Sequence, residues 1–291
     1  MASVVLVHGI LNHVRGAGPE EAALSKAEEY RPDLLEGLGK TGLDVPEPDL
    51  VMAYYADLLR PPSQEQEQAA GEDLYFELLS KAERSAAAEW LMAAGAPAPS
   101  DLQNVGFAPL RQMLGWLVQE RTGPVAEWVL ERTVRPLERV VVGLLLDVEA
   151  YTTWPDRRRA VRERIANTIG TARPTVVVAH SLGSVATYET LLAFPDLEVE
   201  LLVTVGSPLR LPTLARRLDP GLRGGRGARP AGVGRWVNIA DVGDLVAIPP
   251  KLAKVFPVDQ DEVTDIGLGI HGLGGYLANG LTASALAPYL S

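Results

Sequence analysis

Thr175-Val176-Val177-Val178-Ala179-His180-Ser181-Leu182-Gly183-Ser184-Val185-Ala186 is the stretch on which the fold turns. Its first half is short, apolar and β-branched, the pattern of a parallel strand covered by helices on both faces. Its second half suits a helix. The serine between them therefore stands on a sharp strand-to-helix turn, which projects its hydroxyl beyond the carboxyl end of a sheet. Such a turn needs small residues two places before and two places after the serine. Gly183 meets that need, and Ala179 meets it with one methyl more than the usual glycine. The helix that starts here aims free N–H groups and its positive dipole end at the site, where negative charge would be favoured.

Outward from this stretch, further runs share its strand character: Ser3–Val7 ending in His8-Gly9, Leu50–Tyr55 ending in Ala56-Asp57, Glu200–Val205 ending in Gly206-Ser207-Pro208, Arg235–Ile239 ending in Ala240-Asp241, and Glu262–Ile266. Helical signals lie between them. Gly18-Pro19-Glu20-Glu21 opens a helix towards Leu38, with Gly39 as its stop and Pro32 expected to break or kink it. Asp156 is expected to cap another, with Val161, Ile165 and Ile169 on one face. Its arginines, Arg157, Arg158, Arg159, Arg162 and Arg164, read as a solvated face. The alternation predicts an α/β fold with a mostly parallel sheet flanked by helices.

Residues 60–151 break this rhythm and predict a helical insertion, which leaves 1–59 and 152–291 as the core. Ser63-Gln64-Glu65-Gln66 has the capping-box pattern. Leu110, Met113, Leu114, Leu117 and Val118 fall at helical spacing, as do Val125, Trp128 and Val129 and, beyond Pro136, Val140, Val141, Leu144, Leu145 and Val148. Leu218 to Gly234, rich in Gly and Pro with Arg223, Arg226 and Arg229, reads as a long flexible loop whose arginines are solvated, with an anion site as the alternative.

Composition removes whole classes. The 291 residues include 37 Asp+Glu against 27 Lys+Arg, a net charge of −10, four His and no Cys. No disulfide framework, thiolate metal site or cysteine nucleophile can exist. The acidic balance argues against a nucleic-acid partner. A composition 47% hydrophobic and 22% charged belongs to a folded chain rather than a disordered one. The N-terminus lacks a basic leader pattern, and the apolar runs fall short of the ~20 residues of a spanning helix, so a cytoplasmic chain with no transmembrane segment is expected. Gly221 to Gly227 lacks the strand before and helix after that a dinucleotide loop requires, and His8 and His13 lack metal-site spacing; no cofactor and no metal are expected.

Taken together, Val4-Val5-Leu6-Val7-His8-Gly9, the elbow Ala179 to Gly183, Gly206-Ser207-Pro208, Asn238 to Val246 and His271 resemble the serine hydrolases of the α/β-hydrolase fold. The likeness is to bacterial esterase- or lipase-like members and others described as serine peptidases. It covers nearly the whole chain outside the insertion, which it implies is a cap. It further implies a triad in the chain order serine, acid, histidine. Ser181 is then the nucleophile. His271 is the single histidine C-terminal to it, and so the base. The family often carries an Asp followed by an apolar pair, which favours Asp244, with Asp241 as the alternative. The oxyanion donors would be the N–H of Leu182 and that of Ile10 or Leu11 in the His-Gly turn. His8 is expected to be hydrogen-bonded within its turn, Asn12 and His13 to be loop residues, and Asp57 a cap or turn residue. The implied activity is cleavage of a carboxylic ester or related acyl bond of a small, lipophilic substrate through an acyl-enzyme. A peptidase, amidase or acyltransferase would use the same triad, and a non-catalytic interaction module could use the same scaffold.

Overall fold

The computed structural model describes residues 2–59, 75–102, 104–123, 127–267 and 271–290. Its centre is a six-stranded, all-parallel sheet in the order β2-β1-β3-β4-β5-β6. The strands are β1 (Ser3–Val7), β2 (Asp49–Ala53), β3 (Val176–His180), β4 (Val199–Val205), β5 (Val233–Asp241) and β6 (Gln260–Thr264). The helices are α1 (Pro19–Gly39), α2 (Ala56–Leu59), α3 (Lys81–Ala93), α4 (Phe107–Thr122), α5 (Glu127–Thr153), α6 (Pro155–Ala172), α7 (Leu182–Ala193), α8 (Pro212–Ala215), α9 (Leu273–Leu277) and α10 (Gly280–Leu286). This is the α/β architecture that the alternation predicts.

Both faces of the sheet are covered, which explains why its strands are apolar throughout rather than alternating. Val4, Leu6, Val176, Val178, Val203 and Ile239 pack with Ala22, Leu34 and Leu38 of α1 and with Leu277 and Leu286 of α9 and α10. On the other face Val5, Val7, Val177, Ala179 and Leu202 share one cluster with α6, α7 and the helices of the predicted insertion. From Tyr75 to Tyr151 the described residues contain no strand. Their core residues, Trp90, Leu110, Leu114 and Val141 among them, are continuous with the cluster on that sheet face. The capping-box pattern at 63–66 and Val125 lie outside the described residues. Among the described residues no helix is long and apolar enough to cross a membrane.

The topology places a site before any side chain is considered. From β1 the chain passes to β2 on one side, and β3 then pairs with the other side of β1. In open α/β sheets, ligands bind beyond the carboxyl ends of the strands where the order reverses. Here that crevice is bounded by the turn after Val7 and the turn after His180.

Several local expectations are corrected. Pro32 does not break α1, which is continuous across it; one backbone N–H is lost, while Leu34 and Leu38 beyond it are buried against the sheet. Strand β2 stops at Ala53 because Tyr55 N–H goes to His8 Nε2 at 3.0 Å rather than to a ladder. Strand β6 stops at Thr264 because Ile266 N–H goes to the Asp241 carboxylate. Helix α6 is opened by Pro155 with Trp154 at its cap, and Asp156 lies in the first turn, bonded to Arg159. The segment 218–232 is not a free loop: Arg229 ties it to Pro257 O, Gly234 O and Asp259.

The arginines of α6 are the largest correction. Arg158 and Arg162 are mostly buried and converge on Glu189 of α7, whose side chain is wholly buried. Glu189 also accepts from Tyr151 Oη at 2.6 Å and from the Asp219 N–H at 2.9 Å. Burial, with the Glu189 carboxylate adding to it, raises the Tyr151 phenol well above its usual value. Arg164 pairs with Asp57, which settles Asp57 as a first-turn residue of α2 rather than a pocket residue. Removing one partner of a buried ionic cluster leaves the others desolvated and uncompensated. Glu189→Gln is therefore expected to lower unfolding free energy by about 3–5 kcal/mol. Urea denaturation measures it, and a loss below about 1 kcal/mol would mean that the arginines find water instead.

Candidate active site

Strand β3 delivers Ser181 onto the elbow. Its φ of +53° is left-handed, an unfavourable region for a residue with a Cβ that is held here by the flanking elements. Ser181 N–H bonds Val205 O at 3.1 Å, and α7 begins at the next residue. Gly183 lets α7 approach β1 so closely that a Cβ there would stand 2.2 Å from His8 O. Ala179 carries its extra methyl into a fully buried position between Val7 and Thr204 without displacing the strand. The hydroxyls of Ser184 and Ser207 are bonded to one another, and Ser184 Oγ also donates to Ser181 O, so Ser207 serves as a backbone prop.

The predicted acid and base arrive from beyond β5 and β6. Asp244 follows β5, and His271 precedes α9. His271 Nε2 stands 2.7 Å from Ser181 Oγ, and its Nδ1 stands 2.8 Å from Asp244 Oδ2. An ionised carboxylate only accepts, so Nδ1 carries the ring proton and Nε2 presents a lone pair to the serine hydroxyl. Asp244 is held from every side: its Oδ1 accepts Val246 N–H at 2.8 Å and its Oδ2 accepts Tyr276 Oη–H at 2.8 Å. Gly206, at φ +57°, has no room for a Cβ, which would lie 2.9 Å from that same Oδ2. Asp241 does not meet His271. Its Oδ1 accepts Ile266 N–H, and burial raises its pKa above the ordinary carboxylate value. It ties the end of β5 to the segment that follows β6.

The turn after β1 lies against the elbow: a Cβ on Gly9 would be 2.5 Å from Ser181 Cβ. The histidine of this turn has a defined tautomer. Tyr55 N–H donates to His8 Nε2, so His8 Nδ1 carries the proton and donates to Gly9 O at 2.8 Å. Burial lowers the His8 pKa to about 4 and keeps the ring neutral. Asn12 Nδ2 donates to Ile10 O at 2.8 Å and to Gly9 O at 3.3 Å. In a trans peptide the N–H points opposite to its own carbonyl. With Gly9 O fixed towards His8 and Asn12, the Ile10 N–H faces away from them. Leu11 N–H is taken by Asp147 Oδ2 at 3.3 Å. Of the two turn donors considered, Leu11 is thus engaged and Ile10 is not. Neither Ile10 N–H nor Leu182 N–H has an acceptor among the described residues.

Ser181 has no solvent exposure, and the His271 side chain retains 3%. Sequence reasoning missed three neighbours of this site. Tyr276 reaches Asp244 from α9, the helix that follows His271. Asp147 reaches the turn from α5. His180 packs against His271 with ring centroids 4.6 Å apart and planes tilted by 34°, and neither of its nitrogens has a partner among the described residues. Burial first, then the nearby His271 and His8, depress the His180 pKa well below the usual value, so it stays neutral beside the base. Among the described residues no group of three or more His, Asp and Glu side chains is gathered as a metal site requires. Comparison with known protein families, curated proteins and solved structures returns no match.

Proposed function

We propose that this chain is a serine hydrolase of the α/β-hydrolase type, cleaving a carboxylic ester or related acyl bond, with the helical segment up to Tyr151 acting as a cap over the site. The observation that carries the reading is the unbroken relay from Ser181 Oγ through His271 to Asp244, at 2.7 and 2.8 Å. A serine hydroxyl becomes a competent nucleophile when an oriented imidazole removes its proton. As Oγ attacks the carbonyl carbon, His271 Nε2 takes the proton, and Asp244 stabilises the imidazolium through Nδ1–H. The carbonyl oxygen becomes an oxyanion, received by Leu182 N–H and Ile10 N–H. His271 then gives the proton to the leaving alkoxide, which departs as an alcohol and leaves an acyl-serine. Water, deprotonated by the same nitrogen, attacks that ester; the acid leaves and Ser181 regains its proton.

The test is covalent. A fluorophosphonate probe is expected to add one phosphonyl group, located on Ser181 by peptide mass spectrometry. Intact protein after prolonged exposure, or label elsewhere, defeats the reading. A series of p-nitrophenyl esters of rising chain length then reads the acyl preference.

A further inference from the structure

We propose that Asp147, in the helical segment, is a positioning residue that fixes the oxyanion turn for the reaction; this rests on the serine-hydrolase reading above. The turn has an expensive conformation to hold. Leu11 has φ +60°, a left-handed value that a residue with a branched side chain adopts only under constraint. Two residues of α5, one helical turn apart and therefore on one face, supply that constraint. Asp147 accepts the Leu11 N–H at 3.3 Å. Gly143 receives the Leu11 side chain: a Cβ at 143 would stand 2.7 Å from Leu11 Cδ2, so the absence of a side chain there makes the seat.

The same bond settles the plane of a peptide. The Ile10–Leu11 unit is gripped at both ends, its carbonyl by Asn12 Nδ2 at 2.8 Å and its N–H by Asp147. The Gly9–Ile10 unit next to it is gripped at its carbonyl alone. Holding the first peptide restricts how far the second, already held at its carbonyl, can swing its N–H. Asn12 is itself anchored from the core by Tyr30 Oη at 3.2 Å. One side of the turn is thus secured by the core and the other by α5. The hole is then a joint product of the core and the helical segment, and the segment takes part in the chemistry without touching the substrate's reacting atoms.

The experiment compares wild type, Asp147→Ala and Asp147→Asn in p-nitrophenyl acetate hydrolysis and in fluorophosphonate labelling, with thermal melting as the check on folding. Misplacing a catalytic donor by about 1 Å lowers a rate by up to about 100-fold. Asp147→Ala is expected to lower kcat and the labelling rate about 10- to 100-fold while KM changes less than about threefold. Asp147→Asn keeps an acceptor for Leu11 N–H and is expected to restore the rate to within about threefold of wild type. A side chain needed for packing alone would not be rescued in kcat with KM unmoved. Should the Ala variant fail to fold, the Asn variant decides: a loss of about tenfold or more overturns the proposal. A rate increase in either variant also overturns it and makes Asp147 an inhibitory contact. Labelled wild type with an unaffected Ala variant overturns the Asp147 role alone. Wild type that neither labels nor hydrolyses overturns the serine reading and this role with it.

Discussion

Ser181→Ala is expected to lower ester turnover by on the order of 10⁴- to 10⁶-fold while the protein remains folded. The size follows from the arrangement. In the proposed mechanism every covalent step passes through Oγ, so its removal leaves water as the nucleophile, without the hydroxyl that the relay activates. What survives is binding and the two proposed backbone donors at Ile10 and Leu182, which would keep some stabilisation of a developing oxyanion. The double variant Ser181→Ala, His271→Ala is expected to be no slower than Ser181→Ala alone, since serine and histidine act as one unit. The fold is expected to tolerate the loss because Ser181 is placed by its backbone bond to Val205 O and by Gly183 against β1, not by its hydroxyl. Steady-state hydrolysis with matched thermal melts reads both parts. Turnover above about a tenth of wild type in Ser181→Ala would put the nucleophile elsewhere.

The second large effect separates the two aspartates. Asp244→Asn is expected to lower kcat about 10⁴-fold, because a side-chain amide can donate to Nδ1 and so favours the tautomer that turns a proton, not a lone pair, towards Ser181. Asp241→Asn is expected to leave kcat within about tenfold, since an amide oxygen still accepts the Ile266 N–H that Asp241 holds at 2.9 Å. Equal losses in the two variants would mean that the loop acts as a unit. A larger loss at 241 would reverse the assignment. The contrast is sharp because the two carboxylates lie only three residues apart and differ in what they touch: His271 and Tyr276 Oη for Asp244, the Ile266 N–H for Asp241.

What could be read in the sequence was whatever depends on neighbours along the chain. The elbow, the strands around it and the turn at His8-Gly9 are local patterns, and the α/β architecture follows from their alternation. Scarcity helped too: with one histidine after Ser181, composition alone picked out His271. The choice between Asp241 and Asp244 could not be made that way, because Asp241 ends β5, Asp244 lies three residues beyond it, and only the placement of His271 ahead of α9 separates them. The same holds for the turn after β1, where the Leu11 N–H goes to a carboxylate from α5, far along the chain. The arginine-rich face of α6 misled for the same reason. Its partners, Glu189, Asp57 and Asp219, lie in other elements, and no pattern within α6 announces them.

The strand order has a consequence for how this molecule is made. Strand β1 lies inside the sheet, and its second neighbour is β3, so Val4 must wait for Val176 to leave the ribosome. During that interval the chain emits β2 and then the helical segment, whose many contacts are local and form quickly. The interval leaves the inner edge of a two-strand fragment open, a template for mispairing. The helices are the first large apolar mass able to screen it, and α5, which later grips the turn after β1, is complete before β3 exists.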